Sequence, residues 1–300
     1  MWGLPVPERT ITSVPGVAVG HHSDRDAMTG VTVLTFEEPN FAIVDVRGGA
    51  PGSREFGLFG DAIKPVTVNA LVFAGGSAFG LAAADGVMAE VESEGRGAPT
   101  PAGPVPIVPA AIIFDLLVGS ADVRPTAADG ATAYRARTTR PVERGLVGAG
   151  TGATVGKMNG PDGMSSGGVG SACITVDEAS VGALVVLNAV GDVYDLAGHR
   201  LTGSAELDRK ASEGPFGFNT TLIAVATDAL IEDRNELRRF GVRAHDALAS
   251  TVRPAHTRYD GDTAFVVSSG RADADMDRLG EAVFRVVAAS IVDAIQSSQP

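Results

Sequence analysis

The chain has one cysteine, a minority of basic residues and no long apolar run. Its single cysteine, Cys173, excludes an intrachain disulfide framework and a zinc site built on several cysteines. Cys173 lies in the apolar run 171–176, where we predict a buried and inert thiol. No stretch of about 18 residues is apolar throughout, so the sequence predicts no transmembrane helix and no membrane partner.

Acidic residues outnumber basic ones, 36 Asp and Glu against 24 Lys and Arg, which gives a formal charge of −12. Because nucleic acids and anionic membranes bind clustered Lys and Arg, we predict neither as a partner. One local basic cluster contains Arg135, Arg137, Arg140 and Arg144, for which a salt-bridged surface is the better interpretation. The N-terminal residues lack the basic start and apolar stretch of a signal peptide, which favours a cytoplasmic protein.

No low-complexity linker or internal repeat divides the 300 residues, and we predict a single domain over residues 1–300. The most linker-like piece, residues 204–218, is polar and contains Gly and Pro. His21 and His22 are adjacent, but the other histidines are scattered without metal-ligand spacing, so no metal is predicted. The segment Gly75-Gly76-Ser77 lacks the spacing of a nucleotide-binding loop, and no organic cofactor is predicted.

Two kinds of apolar pattern alternate along the chain. Residues 31–36, 42–46, 70–73, 171–176, 182–187, 221–227 and 263–268 have the composition of strands. Residues 78–93, 232–251 and 276–296 have helical spacing. The order strand, helix, strand, helix in the final third indicates helices packed on a sheet, and an α/β (α+β) fold class.

The most informative segment is Asn219-Thr220, where a Gly-rich approach runs into a strand that begins with a hydroxyl residue. If the bond between them breaks, Thr220 gains an α-amino group with a reference pKa of about 8, which can act as base for its own hydroxyl. The Thr220 hydroxyl can break that bond itself by attacking the Asn219 carbonyl in a strained turn. Taken alone, an Asn-Thr-Thr run before a strand is more often an ordinary turn than a cleavage site.

Asp260 and Asp262 follow downstream, separated by Gly261. On an extended strand both carboxylates would point to the same face, where they could orient the Thr220 hydroxyl and amine or share one proton. The same three residues are also typical of a tight turn with solvated carboxylates.

Seven ordered segments resemble one family, the DmpA-type N-terminal-nucleophile hydrolases. This family includes L-aminopeptidase/D-amidase/esterases, β-peptidyl aminopeptidases and nylon-oligomer hydrolases. The matching segments are residues 11–21, 29–33, 45–52, 73–81, 150–157, 187–191 and the pair formed by 219–221 with 260–263. The resemblance implies a four-layer αββα sandwich, also seen in ornithine acetyltransferases, and no cofactor.

Carried onto this chain, the family pattern implies that Thr220 is the nucleophile. Cleavage would divide the protein into an α-subunit of residues 1–219 and a β-subunit of residues 220–300, which stay associated in a tetramer or larger assembly. Asp260 and Asp262 would position Thr220. Lys157 would stabilise charge around the nucleophile, and the Asn188 amide would be an oxyanion donor.

The resemblance also places a substrate pocket, for a small amide or peptide, around Ile112, Phe114 and the Gly75-Gly76-Ser77 loop. β-Peptidyl aminopeptidases tend to carry a Glu that grips the substrate ammonium, and the matching position here is Ile112. Nylon-oligomer hydrolases have Tyr where this chain has Phe114. The segment therefore lacks two polar groups, and the substrate identity stays open among aminoacyl amides, short peptides and oligoamides.

Two alternatives remain at the level of sequence. The first is an acyltransferase of the ornithine acetyltransferase kind, in which an amine replaces water as the acceptor. The second is an uncleaved homologue that binds a ligand without turnover.

Overall fold

The structure is a computed structural model that describes residues 9–59, 66–160, 163–203, 219–231 and 233–299. Its first five-stranded sheet, called sheet I, contains, in spatial order, β1 (Ala18–Asp24), β2 (Thr29–Thr35), β5 (Ala70–Ala74), β8 (Ala110–Ile112) and β4 (Ser53–Arg54). Neighbouring strands run antiparallel except β5 and β8, which are parallel.

The second five-stranded sheet, called sheet II, contains, in spatial order, β11 (Gly168–Val176), β12 (Ala179–Asn188), β14 (Thr220–Ala229), β16 (Thr263–Ala272) and β3 (Phe41–Val46). Three short ladders pair β6 (Ala98–Thr100) with β7 (Gly103–Val105), β9 (Thr154–Val155) with β10 (Ser165–Ser166), and β13 (Asp192–Val193) with β15 (Val252–Arg253). The described α-helices are α1 (Ala83–Ser93), α2 (Ala127–Arg135), α3 (Arg234–Thr251) and α4 (Met276–Ser298).

Three apolar cores separate four layers. The central core holds side chains from both sheets, among them Leu71 and Phe73 of sheet I and Leu184, Leu222 and Phe265 of sheet II. A second core lies between sheet I and helices α1 and α2, and a third lies between sheet II and helices α3 and α4. The order of layers is therefore helix, sheet, sheet, helix, and the predicted αββα sandwich is confirmed.

Two of the three inner strands of sheet II, β12 and β14, are buried along their whole length. This follows from the layer order, because one face of each strand packs on the other sheet and the opposite face packs on helices. The final third of the chain forms a β14, α3, β16 crossover in which the two strands are parallel, followed by α4. The predicted strand, helix, strand, helix order is confirmed.

Helix α2 and strand β1 are the longest elements that were not predicted. Helix α2 contains Gly130, and a Cβ at that position would lie 1.9 Å from the carbonyl oxygen of Ala83. Helices α1 and α2 approach so closely that only glycine fits there, although glycine weakens the helical pattern in the sequence. Strand β1 contains His21 and His22, which interrupt the apolar alternation.

Two helix boundaries differ from the prediction. Residues Ser77–Ala82 form a 3₁₀ helix before α1, so the predicted helix 78–93 is α-helical only from Ala83. Helix α3 begins at Arg234, after Asp233 accepts a hydrogen bond from the Asn235 amide as N-cap. The predicted start of this helix at residue 232, and the linker-like piece 204–218, lie outside the described residues.

Surface features agree with the charge analysis. Arg135, Arg137 and Arg144 form ion pairs with acidic side chains, as the salt-bridge interpretation predicts. Cys173 is a free cysteine and is buried, as predicted. Within the part of the chain that the structure describes, no helix is both long and apolar enough to cross a bilayer.

Candidate active site

Thr220 and Asn188 lie opposite each other at the ends of neighbouring strands. Thr220 is the first residue of β14, Asn188 is the last residue of β12, and the two are paired in the antiparallel register. Because Leu222 and Ala224 face the central core, the two-residue strand period turns Thr220 towards sheet I. Both side chains therefore meet at one end of the space between the sheets.

The residues around this point are buried. Six of the predicted site residues are at most 8 % exposed: Lys157, Asn188, Asn219, Thr220, Asp260 and Asp262. Water is therefore largely excluded, and charges in the site act more strongly on one another than they would in solvent. Of these residues, Asn219 is the one that precedes the bond predicted to break.

The backbone of Asn219 is held on three sides. Its N–H donates to the Tyr259 carbonyl (2.8 Å), and its carbonyl oxygen accepts from the Gly261 N–H (2.7 Å). The Thr220 hydroxyl lies in hydrogen-bond contact with the same carbonyl oxygen. A nucleophile beside a carbonyl group, with a fixed backbone donor on the carbonyl oxygen, can stabilise negative charge that develops there.

Lys157 connects the scissile residue with Asn188. Its Nζ donates to Asn219 Oδ1 (2.6 Å) and to Asn188 Oδ1 (2.9 Å). Asn188 Oδ1 also accepts from the Thr154 N–H (3.0 Å), and Asn188 Nδ2 donates to the Phe114 carbonyl (3.2 Å). The orientation of the Asn188 amide is therefore fixed, with its N–H₂ group towards sheet I and its oxygen towards the lysine.

Burial controls the charge of Lys157. Desolvation lowers the pKa of the ammonium to about 7, and the negative charges of Asp260 and Asp115 oppose that shift. Burial likewise raises the pKa of Asp115, against hydrogen bonds from Gly76 and Thr29 that lower it. Lys157 can therefore change protonation state near neutral pH, unlike a surface lysine.

The two predicted carboxylates act on the backbone around Thr220. Asp262 accepts from the Thr221 N–H (2.8 Å) through one oxygen and from the backbone N–H and Nδ1 of His256 (both 2.9 Å) through the other. Asp260 accepts from the N–H groups of Val190 (3.3 Å) and Thr257 (3.0 Å). Among the described residues, no hydrogen bond joins either carboxylate to the Thr220 hydroxyl.

Gly261 lies between these carboxylates and directly against the nucleophile. A Cβ at this position would lie 2.6 Å from Thr220 Oγ1 and 2.9 Å from the Ala50 carbonyl oxygen. Glycine is therefore required for the turn to approach Thr220 so closely. Burial raises the pKa of Asp260, and the neighbouring Asp262 charge raises it further.

The structure brings only part of the predicted substrate pocket to this point. The Phe114 backbone reaches Asn188, but Ile112 is 6 % exposed and packs in the core between sheet I and its helices, against Gly52. Its side chain does not enter the space between the sheets that contains Thr220, because alternate residues of β8 point to opposite faces.

The Gly75-Gly76-Ser77 loop is linked to the site through residues 113–115. The Gly76 N–H donates to Asp115 Oδ1 (2.7 Å), and the Ser77 N–H donates to the Ile113 carbonyl (3.0 Å). Asp115 also accepts from the Thr29 hydroxyl (2.7 Å). The loop therefore braces the segment whose Phe114 carbonyl orients Asn188.

Sequence reasoning did not find three contributors. Asp115 follows Phe114 directly, and His256 precedes the Asp-Gly-Asp turn, so each had a weak positional signal. Tyr259 contributes only its backbone carbonyl, for which the residue type gives no signal. Within the described ranges, His, Cys, Asp and Glu side chains form no group that could hold a metal ion.

Comparisons with known proteins define the class first. The model of peptidase family S58 matches residues 9–300. The L-aminopeptidase D-Ala-esterase/amidase of Ochrobactrum anthropi, described as a variant of the Ntn hydrolase fold, superposes with a TM-score of 0.77 at 19 % identity, covering 100 % of this chain and 89 % of the other. A Burkholderia β-aminopeptidase superposes with a TM-score of 0.72 at 25 % identity, over 98 % and 89 %. The fold is that of the N-terminal-nucleophile hydrolases.

Sequence relatives agree. An uncharacterized aminopeptidase of Mycobacterium leprae is 40 % identical over 306 residues, covering 90 % of this chain and 81 % of the relative. A 6-aminohexanoate-oligomer endohydrolase of Kocuria is 30 % identical, covering 86 % and 74 %. The chain belongs to peptidase family S58. It is a hydrolase of amide bonds, and the resemblance stated from the sequence is confirmed.

Proposed function

We propose that the chain cuts itself between Asn219 and Thr220 and that Thr220 then hydrolyses amide bonds of small substrates. One observation carries the proposal: the Thr220 hydroxyl lies against the Asn219 carbonyl group, whose oxygen already accepts the Gly261 N–H at 2.7 Å. The nucleophile, its target and a donor for the developing charge are thus within contact of one another.

Self-cleavage needs no group from outside the chain except water. The Thr220 oxygen bonds to the Asn219 carbonyl carbon, the peptide C–N bond breaks, and the hydroxyl proton ends on the Thr220 nitrogen. Water then hydrolyses the ester, which releases the Asn219 carboxylate and regenerates the hydroxyl. The products are residues 1–219 and 220–300, the second with a free α-amine.

The mature site repeats this chemistry on a substrate. The α-amine of Thr220 accepts the hydroxyl proton as the oxygen attacks the substrate carbonyl, and returns it to the leaving amine. The Asn188 amide and the Gly261 N–H stabilise the oxyanion, and Lys157 adds positive charge beside it. Asp260 and Asp262 position the strand through its backbone, since Asp262 holds the Thr221 N–H at 2.8 Å.

The fragments are expected to stay together after cleavage. Sheet II takes β14 and β16 from the 220–300 fragment and β3, β11 and β12 from the 1–219 fragment. β14 is hydrogen-bonded between β12 and β16, so separating the fragments would break the centre of a buried sheet. Assembly into a homotetramer or larger oligomer is a proposal from the family resemblance alone.

We propose that the substrates are short molecules: aminoacyl amides, small peptides, oligoamides or esters. Relatives described as an aminopeptidase and as an oligomer endohydrolase support short chains with amide links. An acyltransferase would use the same acyl-enzyme but pass it to an amine.

The test uses purified mature protein and a panel of aminoacyl p-nitroanilides, with and without ornithine. We expect p-nitroaniline release with a free amino acid as the second product, and a p-nitrophenyl ester should leave its acyl mass on the 220–300 fragment. The Thr220→Ala protein is the control and should show neither. Transfer of the acyl group to ornithine in place of hydrolysis would contradict the proposal, as would an acyl mass on the 1–219 fragment.

A further inference from the structure

The contacts of Asn219 define a subsite of the enzyme as well as a cleavage point. In self-cleavage the acyl group of Asn219 becomes esterified to the Thr220 oxygen. In turnover the acyl group of the substrate becomes esterified to the same oxygen. The two esters are chemically equivalent, so the space that holds Asn219 in the uncut chain is the space that receives the substrate acyl group.

Asn219 meets a specific polar partner at each of three positions. Its α-nitrogen donates to the Tyr259 carbonyl at 2.8 Å, and its carbonyl oxygen accepts from the Gly261 N–H at 2.7 Å. Its side-chain Oδ1 accepts from Lys157 Nζ at 2.6 Å. Asn219 is 2 % exposed, so all three contacts are made away from solvent.

We propose that the mature enzyme selects acyl groups that reproduce these contacts: α-amino acyl groups with an oxygen acceptor on the γ-carbon, namely asparaginyl and aspartyl. Tyr259 accepts a hydrogen bond from the α-nitrogen through its backbone carbonyl. Lys157 Nζ donates a hydrogen bond to the side-chain oxygen. This inference rests on the proposed function and names the substrate class of the same site.

The discrimination comes mainly from Lys157. Leucine has the same branching as asparagine but no acceptor, so a leucyl group would leave the buried Nζ with Asn188 as its remaining side-chain partner. A site built to hydrogen-bond a substrate group rejects analogues without it strongly, because the buried polar partner is left unpaired. An alanyl group is too short to reach the lysine.

The first test measures kcat/KM of the mature enzyme on the p-nitroanilides of Asn, Asp, Leu and Ala, and on the anilide of succinamic acid, which is asparagine without its α-nitrogen. We expect Asn to exceed Leu and Ala by at least about ten-fold, and removal of the α-nitrogen to cost at least about ten-fold. Equal rates on Leu and Asn would overturn the inference while leaving the proposed function intact.

The second test needs no added substrate, because the uncut chain carries its own. Self-cleavage is followed by intact mass in Asn219→Leu and in its matched control, Asn219→Asp, which keeps the γ-oxygen. Leucine should slow cleavage at least about ten-fold, and aspartate should restore most of the rate. If the Asn219→Leu protein cleaves itself as fast as the wild-type protein, the proposed subsite is wrong. If the wild-type chain itself stays uncut, the proposed function fails first.

Discussion

The two sides of Thr220 are built differently. On one side, Lys157 and Asn188 contact Asn219 and each other through side chains. On the other side, the Asp260-Gly261-Asp262 turn contacts backbone groups: the Gly261 N–H donates to the Asn219 carbonyl, and the Asp262 carboxylate accepts from the Thr221 N–H. The Gly261 N–H contacts a carbonyl oxygen that every acyl group has, whereas Lys157 Nζ contacts a side-chain oxygen that only some acyl groups have.

This difference separates two tasks. The turn side determines where the nucleophile and its target carbonyl lie, because the Gly261 N–H is a backbone donor whose direction is fixed by the fold. The lysine side supplies charge that depends on pH and a donor that depends on the acyl group. Changes on the turn side should therefore disturb geometry for every substrate, and changes on the lysine side should depend on substrate and pH.

The largest effect is expected where the two sides meet. Thr220→Ala should abolish both self-cleavage and turnover while the fold is retained, because no other group replaces the hydroxyl. Denaturing mass spectrometry, anilide hydrolysis and thermal unfolding measure the three properties. Thr221→Val is the matched control. Among the described residues, the buried Thr221 Oγ1 has no hydrogen-bond partner, so the Thr221→Val protein should cleave itself normally and unfold at an equal or higher temperature.

Lys157→Met tests the lysine side. It removes the Nζ that bridges Asn188 and Asn219, and self-cleavage should slow by about 100-fold or more, the size typical of one lost electrostatic donor. The time course of fragment formation measures the loss. If the Lys157→Met protein cleaves itself at the wild-type rate, the Lys157 ammonium contributes nothing to self-cleavage beyond packing.

Gly261→Ala tests the turn side. The new Cβ would press on Thr220 Oγ1, so cleavage and turnover should fall together, by about ten-fold or more, on every anilide tested. Gly57→Ala is the control, because a Cβ there lies within 4 Å of no atom in the part of the chain that the structure describes. A loss in Gly261→Ala that is confined to one acyl group would contradict the division of tasks.

The pH dependence of stability gives a smaller effect with a definite sign. Burial lowers the pKa of Lys157 to about 7 in the folded chain, against about 10.4 in the unfolded chain. Between these two pH values the unfolded chain binds more protons than the folded chain, so the free energy of unfolding increases as pH rises. Below pH 7 the cost of burying the charge is fully present. In a Thr220→Ala background, Lys157→Met should therefore be stabilising at pH 6, and this advantage should shrink towards pH 10. Urea unfolding at both pH values measures it, and an advantage that grows with pH would be the wrong sign.

Ile112→Val should have the smallest effect. The residue packs in the core between sheet I and its helices, so the loss of one methylene should cost about 1 kcal/mol of stability. Because its side chain does not enter the space around Thr220, KM for each anilide should be unchanged. A change in KM without a change in the free energy of unfolding would show that the Ile112 side chain does line the substrate pocket.

The strands and the helices of the final third could be predicted from the sequence because each has a strong apolar period. Helix α2 could not be predicted in this way. Its close packing on α1 requires glycine at position 130, whereas a helical sequence pattern normally has a stronger helix former there. The four-layer arrangement was predicted from the family resemblance and not from the period of any segment, and the order of strands within each sheet was not predicted.

The candidate site was predicted as a set of residues but not as a geometry. For Asp260 and Asp262 the sequence left a shared strand face and a tight turn both open. Both residues lie before β16 in an irregular turn, which follows His256 with its left-handed backbone, φ 56°. Their contacts to the N–H groups of Val190 and Thr221 depend on this turn. The Tyr259 carbonyl and the Gly261 N–H carry no side-chain signal at all, so only the folded chain reveals them.

The central claim is that the chain makes its own nucleophile at Thr220. The most direct measurement is an intact-mass spectrum of freshly purified wild-type protein under denaturing conditions, repeated after prolonged incubation. We expect two fragments that meet between Asn219 and Thr220 and whose masses add up to the mass of the chain plus one water. A single uncut chain that nevertheless hydrolyses anilides would contradict it.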